Sequence, residues 1–536
     1  MTDLENIMKT GSVSERIEAL TRFALTQDTE NLPYVLGELE HHRSLNVKQA
    51  MCLSLRYFDA PGTGFKLEKM LEDDSPKVRW AAAYGLSGIT SYTPHDFFRR
   101  AAESSDRETW SLALQSLNTT NLPAAEHMIE SALSHSDPFV VSTAVYRAGK
   151  LTGPDFIERA KGFTGHPDVT VRENAFRILY ELGDNGVLED MANDEDEIIR
   201  MRAQLLAKGK IEEKKSYDPE LEDKFIGCMV GAAIGDAIGA PIETLSQEGI
   251  QKRYGTVTSY ISNELRRGTP LGIAEWTDDT EMAMTVAESL MRMGGIDPQH
   301  LGELFGRDID RIDSLQEKER GYSVRSIQVS RMLRLGVNWR YTGIDSLGCG
   351  SVMRAHPIGL FFRDNMPDMK KNSDLQSRIT HNGEESSASS LLLCYAVSLA
   401  SQYKPEDGGI PQDFYKRILD LSGCSGTLHD ELKDYADNQN LTLLELVELK
   451  KGGRGPVGTV TVAVDSFMRS PDDFRDVIIR AINHSGDSDS VGSMAGAMAG
   501  AYNGFSRIPE DMVKPLYRKD DLIELGKQLY KAYRKT

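Results

Sequence analysis

The sequence predicts an all-α protein, in which an N-terminal α-solenoid of helical repeats is followed by a second domain that is also entirely helical. Three observations support this fold class. Apolar residues recur with a period of 31 through the first part of the chain. The segments that follow carry apolar residues at helical spacing and are joined by glycine-rich loops. The sequence contains no convincing set of alternating strand patterns.

The repeats extend over residues 1–207. Two sets of positions recur every 31 residues, the second set four places after the first: Val47, Val78, Thr109, Val140 and Val171, then Met51, Ala82, Ala113, Ala144 and Ala175. A looser copy has Ile199 and Ala203. Such a period is typical of helix pairs stacked into a solenoid. The stretch resembles HEAT-like repeats, with a shorter period than is usual for them. Solenoids most often present an extended surface to a protein partner, and a purely structural scaffold is the alternative.

A charged segment with a proline, KGKIEEKKSYDPE at 208–220, interrupts the period, so we predict a linker there. The second domain is then expected at 221–536. Apolar runs predict helices within it at 283–291, 387–400, 413–421 and 522–533. Glycine recurs every fourth residue in two further stretches: Gly227, Gly231, Gly235 and Gly239, and Gly492, Gly496, Gly500 and Gly504. On helices these glycines form smooth stripes, so we expect the two helices to pack closely.

Two acidic clusters precede apolar helices of the second domain. Each has two aspartates and a hydroxyl: Thr277, Asp278 and Asp279 in WTDDT, and Asp487, Asp489 and Ser490 in GDSDS. Oxygen donors of this kind suit Mg²⁺, Mn²⁺ or Ca²⁺. Either cluster alone is equally consistent with a helix N-cap. An EF-hand is excluded, because Val491 and Met498 occupy loop positions that must supply ligands. Together the two clusters favour one shared two-metal site.

Composition narrows the function classes. A net charge of −19 argues against broad nucleic-acid binding, which needs a basic surface. The five cysteines lack the paired spacing of zinc sites, so reduced thiols are expected. The polar start of the chain does not have the pattern of a signal peptide, and the apolar run at 225–242 is interrupted by Asp236 and by glycines. We therefore expect a cytoplasmic protein without a membrane role.

The order of motifs in the second domain resembles the ADP-ribosylglycohydrolases, the family that includes the dinitrogenase-reductase-activating glycohydrolase. The resemblance covers 221–535 and rests on six motifs: GDAIGAPIE (235–243), WTDDT (276–280), RGYS (320–323), GCGSVMRAHPIGL (348–360), THNGEE (380–385) and HSGDSDSVG (484–492). The joint occurrence of WTDDT and GDSDS is its most specific feature. The family implies an all-helical domain with a binuclear Mg²⁺ or Mn²⁺ centre that removes ADP-ribose from a modified acceptor.

Carried onto this chain, the resemblance assigns the metal ligands to Thr277, Asp278, Asp279, Asp487, Asp489 and Ser490. Two divalent ions at such a site orient ribose hydroxyls and increase the acidity of water, and several carboxylates are needed to balance their charge. Glu243 matches a family glutamate and is expected either beside the metals or as an acid or base. With Asp279 and Asp487, it completes the predicted catalytic set.

The resemblance also implies an ADP-ribose site formed by Asp236, Gly321, Tyr322, Gly350, Ser351, Met353 and His381. Gly350 and Ser351 would offer backbone amides to the pyrophosphate at a helix start. Asp236 is equally consistent with a polar contact inside the packed helices, and Arg354 with a structural role or with phosphate binding. Two positions depart from the family pattern. Cys349 replaces the usual Asn, and Val457 stands where relatives often carry Tyr.

The main functional hypothesis is a metal-dependent hydrolase that reverses protein ADP-ribosylation, with arginine as the first acceptor and with the repeats recognising the modified protein or a partner. Hydrolysis of another ribosyl or ADP-ribosyl small molecule is one alternative, kept open by Cys349 and Val457. A non-catalytic ADP-ribose-binding adaptor is the other. If the repeats only recognise protein, removal of residues 1–215 should spare small substrates. Equal loss on both substrate types would mean that the repeats stabilise the catalytic domain.

Overall fold

The computed structural model describes residues 2–207, 214–262, 271–346, 348–407, 409–410, 413–422, 426–438, 440–441, 445, 454–484 and 486–536. Within these ranges the secondary structure is helical, and the one β feature is an isolated bridge between Ile344 and His381. The predicted all-α class is confirmed. The chain forms two compact units. One contains Met1–Ala207, Gly306–Lys318 and Ile327–Tyr341, and the other contains Lys208–Phe305, Glu319–Ser326 and Thr342–Thr536.

The first unit is a series of short helices. They are α1 (Asp3–Thr10), α2 (Val13–Leu25), α3 (Leu32–Glu38), α4 (Leu45–Leu55), α5 (Pro61–Met70), α6 (Pro76–Leu86), α7 (His95–Ala102), α8 (Arg107–Ser116), α9 (Glu126–Leu133), α10 (Pro138–Thr152), α11 (Ile157–Lys161), α12 (Val169–Glu181), α13 (Val187–Met191) and α14 (Glu197–Ala207), with 3₁₀ turns at Pro123–Ala125 and Gly153–Phe156.

The 31-residue period sets where these helices begin and what they bury. Asp106, Asp137 and Asp168 recur at that interval, and each caps the next helix by accepting a hydrogen bond from a backbone amide of its first turn. The periodic apolar positions predicted from the sequence are buried, except that Thr109 is half-buried. Successive helices therefore repeat the same contact with their neighbours, as expected for a solenoid.

The second unit contains longer helices. They are α15 (Pro219–Gly239), α16 (Gln247–Tyr254), α17 (Asp278–Met293), α18 (Pro298–Asp313), α19 (Val324–Leu335), α20 (His356–Phe361), α21 (Met366–Arg378), α22 (Glu384–Ala400), α23 (Phe414–Ser422), α24 (Thr427–Asp437), α25 (Gly455–Arg469), α26 (Phe474–Ile482), α27 (Ser488–Asn503), α28 (Glu510–Val513) and α29 (Lys519–Tyr533), with 3₁₀ turns at Ala240–Ile242, Trp339–Tyr341, Pro405–Asp407 and Phe505–Arg507. Of these elements, the second half of α18, most of α19 and the turn Trp339–Tyr341 group with the first unit. The four helices predicted from apolar runs are present in α17, α22, α23 and α29. Residues 208–213 of the predicted linker lie outside the described residues.

The two glycine stripes face each other, as predicted. Gly227 packs on Gly500, Gly231 on Gly496 and Gly235 on Gly492, so α15 and α27 run antiparallel with their backbones in contact. A Cβ atom at Gly492 would lie 2.5 Å from the carbonyl oxygen of Gly235, closer than any side chain tolerates. This glycine seam, formed by Gly227–Gly239 and Gly492–Gly504, is the centre of the second unit.

The helical stretch Pro219–Ile242 is long and apolar enough to cross a membrane by length and composition alone. Its apolar window is completely buried inside the protein. Core helices of soluble proteins pass the same test, so the stretch is accounted for by its packing in the glycine seam.

Candidate active site

Both acidic clusters lie at helix N-termini, where backbone amides and the helix dipole favour negative charge. Thr277 is the N-cap of α17, and its Oγ1 accepts a hydrogen bond of 3.2 Å from the Asp279 amide. Asp487 occupies the N-cap position of α27, but its side chain makes no capping bond. The N-cap interpretation thus describes Thr277 and does not account for the Asp487 carboxylate.

Asp236 fixes the start of α17. It lies near the C-terminal end of α15, is fully buried, and accepts hydrogen bonds from the amide of Thr277 and from the amide and hydroxyl of Thr280, the last at 2.6 Å. These bonds correspond to the polar contact that the sequence left open beside a substrate-binding role. Asp236 therefore positions the WTDDT motif.

Glu243 and the two aspartates of GDSDS form one carboxylate cluster, and Asp279 of WTDDT lies close enough to feel the charge of Asp489. Oxygen atoms of Glu243, Asp487 and Asp489 lie within 4.8 Å of one another. Burial and the neighbouring Asp489 raise the pKa of Asp487 to about 7 and that of Asp236 to about 6, and the same two causes raise the pKa of Asp279 well above its usual range. The cluster is a concentration of negative charge away from water.

Asp279 gives the most direct indication that these carboxylates bind a cation. Its Oδ2 atom is completely buried and has no hydrogen-bond partner among the described residues. A buried carboxylate oxygen without a partner is costly, and a divalent cation relieves both the missing bond and the charge. The oxygen-only donors of the two motifs fit Mg²⁺ or Mn²⁺.

A strained turn brings Glu243 to this cluster. α15 ends at Gly239 and continues as the 3₁₀ turn Ala240–Ile242, where Pro241 has no amide hydrogen to continue the regular helix. The next residue after Glu243, Thr244, has φ +70° and donates its amide to the Gly486 carbonyl at 3.0 Å. A left-handed backbone is uncommon for threonine, so this bond to the GDSDS loop holds a conformation that the chain would otherwise avoid.

Cys349, the first departure from the family pattern, lies within the acidic cluster. Its thiol is 3.0 Å from Asp487 Oδ2 and 3.2 Å from Ser490 Oγ. Burial and the nearby Asp487 raise the pKa of the Cys349 thiol well above its usual range. The residue therefore acts as a neutral donor to Asp487. Val457, the second departure, is buried in α25.

The segment that carries Gly350 and Ser351 is a turn and not a helix start, since α20 begins only at His356, where Pro357 suits a first helical turn. A Cβ atom at Gly350 would lie 3.0 Å from Cε1 of His381, so glycine lets the imidazole approach the turn. Ser351 is buried, and its hydroxyl meets that of Ser390 at 3.3 Å.

Met353 is also buried, with its sulfur 3.9 Å from the Ser490 hydroxyl. It therefore packs between the turn and the GDSDS motif.

A buried chain of hydrogen bonds orients His381. Arg354, fully buried, donates to Thr380 Oγ1 at 2.7 Å, and that oxygen lies 2.8 Å from His381 Nδ1. Because the Thr380 hydroxyl accepts from Arg354, it can donate its own hydrogen to Nδ1, and Nε2 then carries the ring hydrogen. Burial, with Arg354 and Arg325 nearby, lowers the pKa of His381 to about 3. The imidazole is thus a neutral donor through Nε2. The sequence left two roles open for Arg354, and these buried bonds support the structural one.

The loop around Gly321 is anchored to the WTDDT motif. Its Arg320 carbonyl accepts a 3.0 Å hydrogen bond from the Asp278 amide. The Arg320 guanidinium is buried over the rings of Trp276 and Tyr517, at 4.5 and 4.8 Å from their centroids. Gly321 has φ +96°, which lets the chain turn directly after this anchor.

The next residue, Tyr322, is buried beside Arg354. Burial lowers the pKa of Arg354 to about 9, and the nearby Tyr322 opposes that shift. Arg320 and Thr380 are the site residues that the sequence analysis did not assign. Each is adjacent in sequence to an assigned residue, but its role depends on partners that are distant in the chain.

Comparisons with known proteins agree with this arrangement. The ADP-ribosylglycohydrolase family model matches residues 217–536, and a HEAT repeat model matches residues 66–93. An uncharacterized protein of Archaeoglobus fulgidus is 29% identical over 314 residues, which cover 58% of this chain and 98% of that protein. The ADP-ribosylarginine hydrolase Tri1 of Serratia proteamaculans is 27% identical over 326 residues, 58% of this chain and 81% of Tri1. The ADP-ribosylhydrolase ARH3 of Homo sapiens is 24% identical over 352 residues, 58% of this chain and 94% of ARH3.

The family match covers more than half of the chain, and it includes both acidic motifs, Glu243 and the His381 turn. The predicted resemblance is therefore confirmed. The chain belongs to the ADP-ribosylglycohydrolase family and is a hydrolase that removes ADP-ribose.

Proposed function

We propose that this enzyme hydrolyses the bond between ADP-ribose and a side chain of a modified protein, and that it requires two Mg²⁺ or Mn²⁺ ions. One observation carries the proposal. Glu243, Asp487 and Asp489 form a carboxylate cluster at the start of α27, and Asp279 at the start of α17, within reach of the charge of Asp489, has a buried Oδ2 with no hydrogen-bond partner among the described residues. A buried excess of carboxylates is destabilising unless cations balance it.

The residues that would hold the ions are the six predicted ligands: Thr277, Asp278, Asp279, Asp487, Asp489 and Ser490. When bound, two divalent ions supply charge stabilisation, orient ribose hydroxyls and increase the acidity of water. Asp236 contributes indirectly by fixing the Thr277 turn. Cys349 holds the Asp487 carboxylate by donating its thiol hydrogen.

In the proposed reaction, water adds its hydroxyl to the anomeric carbon of the ribose while the bond from that carbon to the acceptor atom breaks. The second proton of the water reaches the acceptor, so atoms and charge balance. Glu243 is placed to accept the proton from water, since its carboxylate reaches the cluster and is half-exposed. Its other proposed role, as a ligand in the metal shell, uses the same position.

The turn around Gly350 and the imidazole of His381 are proposed to bind the ADP part of the substrate. The neutral His381 ring directs its Nε2 hydrogen away from Thr380, which makes it a donor suited to a phosphate oxygen. Gly321 and Tyr322 would cover the bound nucleotide from the loop that also holds the Asp278 amide.

Arginine is the proposed acceptor, because the matched Tri1 is named an ADP-ribosylarginine hydrolase. A small ADP-ribosyl molecule is the second candidate, favoured by Cys349 in the acidic cluster. HEAT-type arrays are scaffolds for protein binding, which supports the proposal that the repeats help to recognise the modified protein or a partner. The proposed location is the cytoplasm.

The test is release of ADP-ribose from an arginine-ADP-ribosylated protein with Mg²⁺ or Mn²⁺, repeated after EDTA treatment. We expect release that EDTA abolishes and that added metal restores. Asp279→Ala should lower kcat by more than about 100-fold, beyond the usual effect of residues that only support a metal ligand. Asp520→Ala is the matched control, because its side chain is 83% exposed in the first turn of α29. Full activity in EDTA, or wild-type turnover by Asp279→Ala, would contradict the metal assignment.

A further inference from the structure

Two segments from the middle of the family domain group with the repeat unit and not with the rest of that domain. These captured segments are Gly306–Lys318 and Ile327–Tyr341. Between them lie residues 319–326, here called the substrate loop, which belong to the other unit. Helix α18 ends within the first captured segment and α19 ends within the second, so the chain on both sides of the loop groups with the repeats.

Glu173 on α12 holds the end of the second captured segment. Its carboxylate is 1% exposed and accepts hydrogen bonds from Asn338 Nδ2 at 3.0 Å, Trp339 Nε1 at 2.8 Å and Arg340 Nε at 3.3 Å. Three donors from consecutive residues satisfy one buried carboxylate. A buried acid is tolerated only with such partners, so the Glu173 position is suited to this segment of the chain itself.

Asn174, the next residue, makes a second connection. It is fully buried, and its amide donates to Ser142 of the neighbouring repeat helix at 2.9 Å and to the Gly336 carbonyl at 2.7 Å. Gly336 has φ +95° and lies directly against the ring of Tyr146, where a side chain would not fit. Leu335 and Val337, on either side, are buried in the same apolar core as the repeats.

The first captured segment is held in the same way. Tyr84 of α6 donates its hydroxyl to Asp310 at 2.8 Å, and its ring carries the Arg334 guanidinium 4.1 Å from the centroid. Asp313, 1% exposed, accepts from Arg331 and Arg334 and so joins the two captured segments to each other. Both arms of the substrate loop are thereby fixed as one body.

The substrate loop itself contacts the candidate site of its own unit. Its Arg320 carbonyl accepts from the Asp278 amide at 3.0 Å, and Tyr322 and Arg325 lie near Arg354 and His381 respectively. A loop of eight residues with both ends fixed has little freedom, because closing a short chain between fixed ends removes most of its conformations.

We propose that the repeat array positions the substrate loop for ADP-ribose binding, with Glu173 and Asn174 as positioning residues; this inference rests on the proposed function. The repeats are then part of the enzyme as well as a docking surface. The surface around Glu173, Asn174 and Tyr84 is covered by the captured segments, so a protein partner must use another face of the array. Deletion of residues 1–215 would uncover Leu335 and Val337, and point variants of the full chain are therefore the better test.

The experiment compares the full-length wild type with Glu173→Gln and Trp339→Phe, each of which weakens one set of bonds at the captured segment. Glu108→Gln is the matched control. Glu108 forms an ion pair of 2.8 Å with Arg79 inside the repeats, and none of the hydrogen bonds given above joins it to the captured segments. Two readouts are needed. The first is amide hydrogen exchange of residues 319–326 without ligand, and the second is kcat and KM for an ADP-ribosylated arginine substrate.

We expect faster exchange in residues 319–326 and a rise in KM of roughly fivefold, with a smaller change in kcat, because the loop contributes mainly to binding. Glu108→Gln should match the wild type in both. If Glu173→Gln does not fold, Trp339→Phe, which keeps an aromatic ring, decides the question alone. Faster exchange confined to 336–341, or an unchanged KM, would overturn the inference. Absence of any wild-type release would instead reject the proposed function, while the exchange result, which needs no substrate, would still report on the loop.

Discussion

Replacing Gly492 with alanine tests whether the glycine seam holds the active site together. The added Cβ would lie 2.5 Å from the Gly235 carbonyl oxygen and 2.9 Å from both its carbonyl carbon and Ile482 Cγ2. Two of these three contacts are with backbone, which cannot rotate away. Relief therefore requires α15 and α27 to separate by several tenths of an ångström along their shared length.

Overpacking of this kind typically costs about 1–3 kcal/mol, and rigid backbone neighbours place Gly492→Ala at the upper end. For a domain of this size each 1 kcal/mol lowers Tm by about 2–4 °C, so we expect a fall of roughly 5–10 °C. Gly37→Ala is the control. Gly37 lies in α3 with no atom within 4 Å of an added Cβ, so alanine there should be neutral or stabilise by about 0.5–1 kcal/mol.

The assay is thermal unfolding by calorimetry, with and without Mg²⁺. A second variant, Gly500→Ala, separates packing from metal binding, because Gly500 meets Gly227 at the other end of the seam from the acidic cluster. Both seam variants should lower Tm, and Gly492→Ala should in addition reduce the stabilisation that Mg²⁺ provides. If Gly492→Ala unfolds within about 1 °C of wild type, the close packing described here is not what stabilises the domain.

Two further predictions concern buried histidines. Thr380→Val removes the hydroxyl that holds His381 Nδ1, so ADP-ribose affinity measured by calorimetry should fall about tenfold, the usual cost of about 1.4 kcal/mol for a lost buried hydrogen bond. Thr380→Ser keeps the hydroxyl and should restore most of that affinity, whereas equal loss in both variants would show that the methyl group matters and the tautomer does not. His356 is fully buried, and burial lowers its pKa to about 4 while the unfolded value is near 6.5, so the unfolded chain gains a proton between pH 7 and 5 and the folded chain does not. Stability is therefore lost as the pH falls through 6.5, by about 2 kcal/mol at pH 5 from this group. Urea unfolding at both pH values should show that loss in wild type and a smaller one in His356→Gln, and an identical pH dependence would refute the assignment.

The parts of the fold that the sequence predicted are those that repeat locally. The 31-residue period and the four-residue glycine spacing are visible without knowledge of any partner, because each helix must bury the same face wherever it packs. The aspartate caps at Asp106, Asp137 and Asp168 were not predicted, although they recur with the same period and each bonds within its own first turn.

The parts that the sequence did not predict depend on residues far apart in the chain. Glu173 meets Asn338 across 165 positions, and nothing in either neighbourhood indicates the other. Likewise, the role of Thr380 follows only from the approach of Arg354, 26 positions earlier. A buried polar side chain needs a hydrogen-bond partner, but the sequence does not identify which residue supplies it.

The antiparallel seam explains why Asp236 and Asp489 stand close to glycines in the chain. Asp236 directly follows Gly235 on α15, and Asp489 precedes Gly492 on α27 by three residues, so the contact between Gly235 and Gly492 brings both carboxylates to one place. Larger residues in the seam would separate the helices and with them the acids. That separation would relieve both the burial and the repulsion by Asp489 that raise the pKa of Asp236, and would therefore favour an open, metal-free arrangement. The close approach of α15 and α27 thus increases the repulsion between the two carboxylates. The bound cations proposed here offset that repulsion and stabilise the closed arrangement.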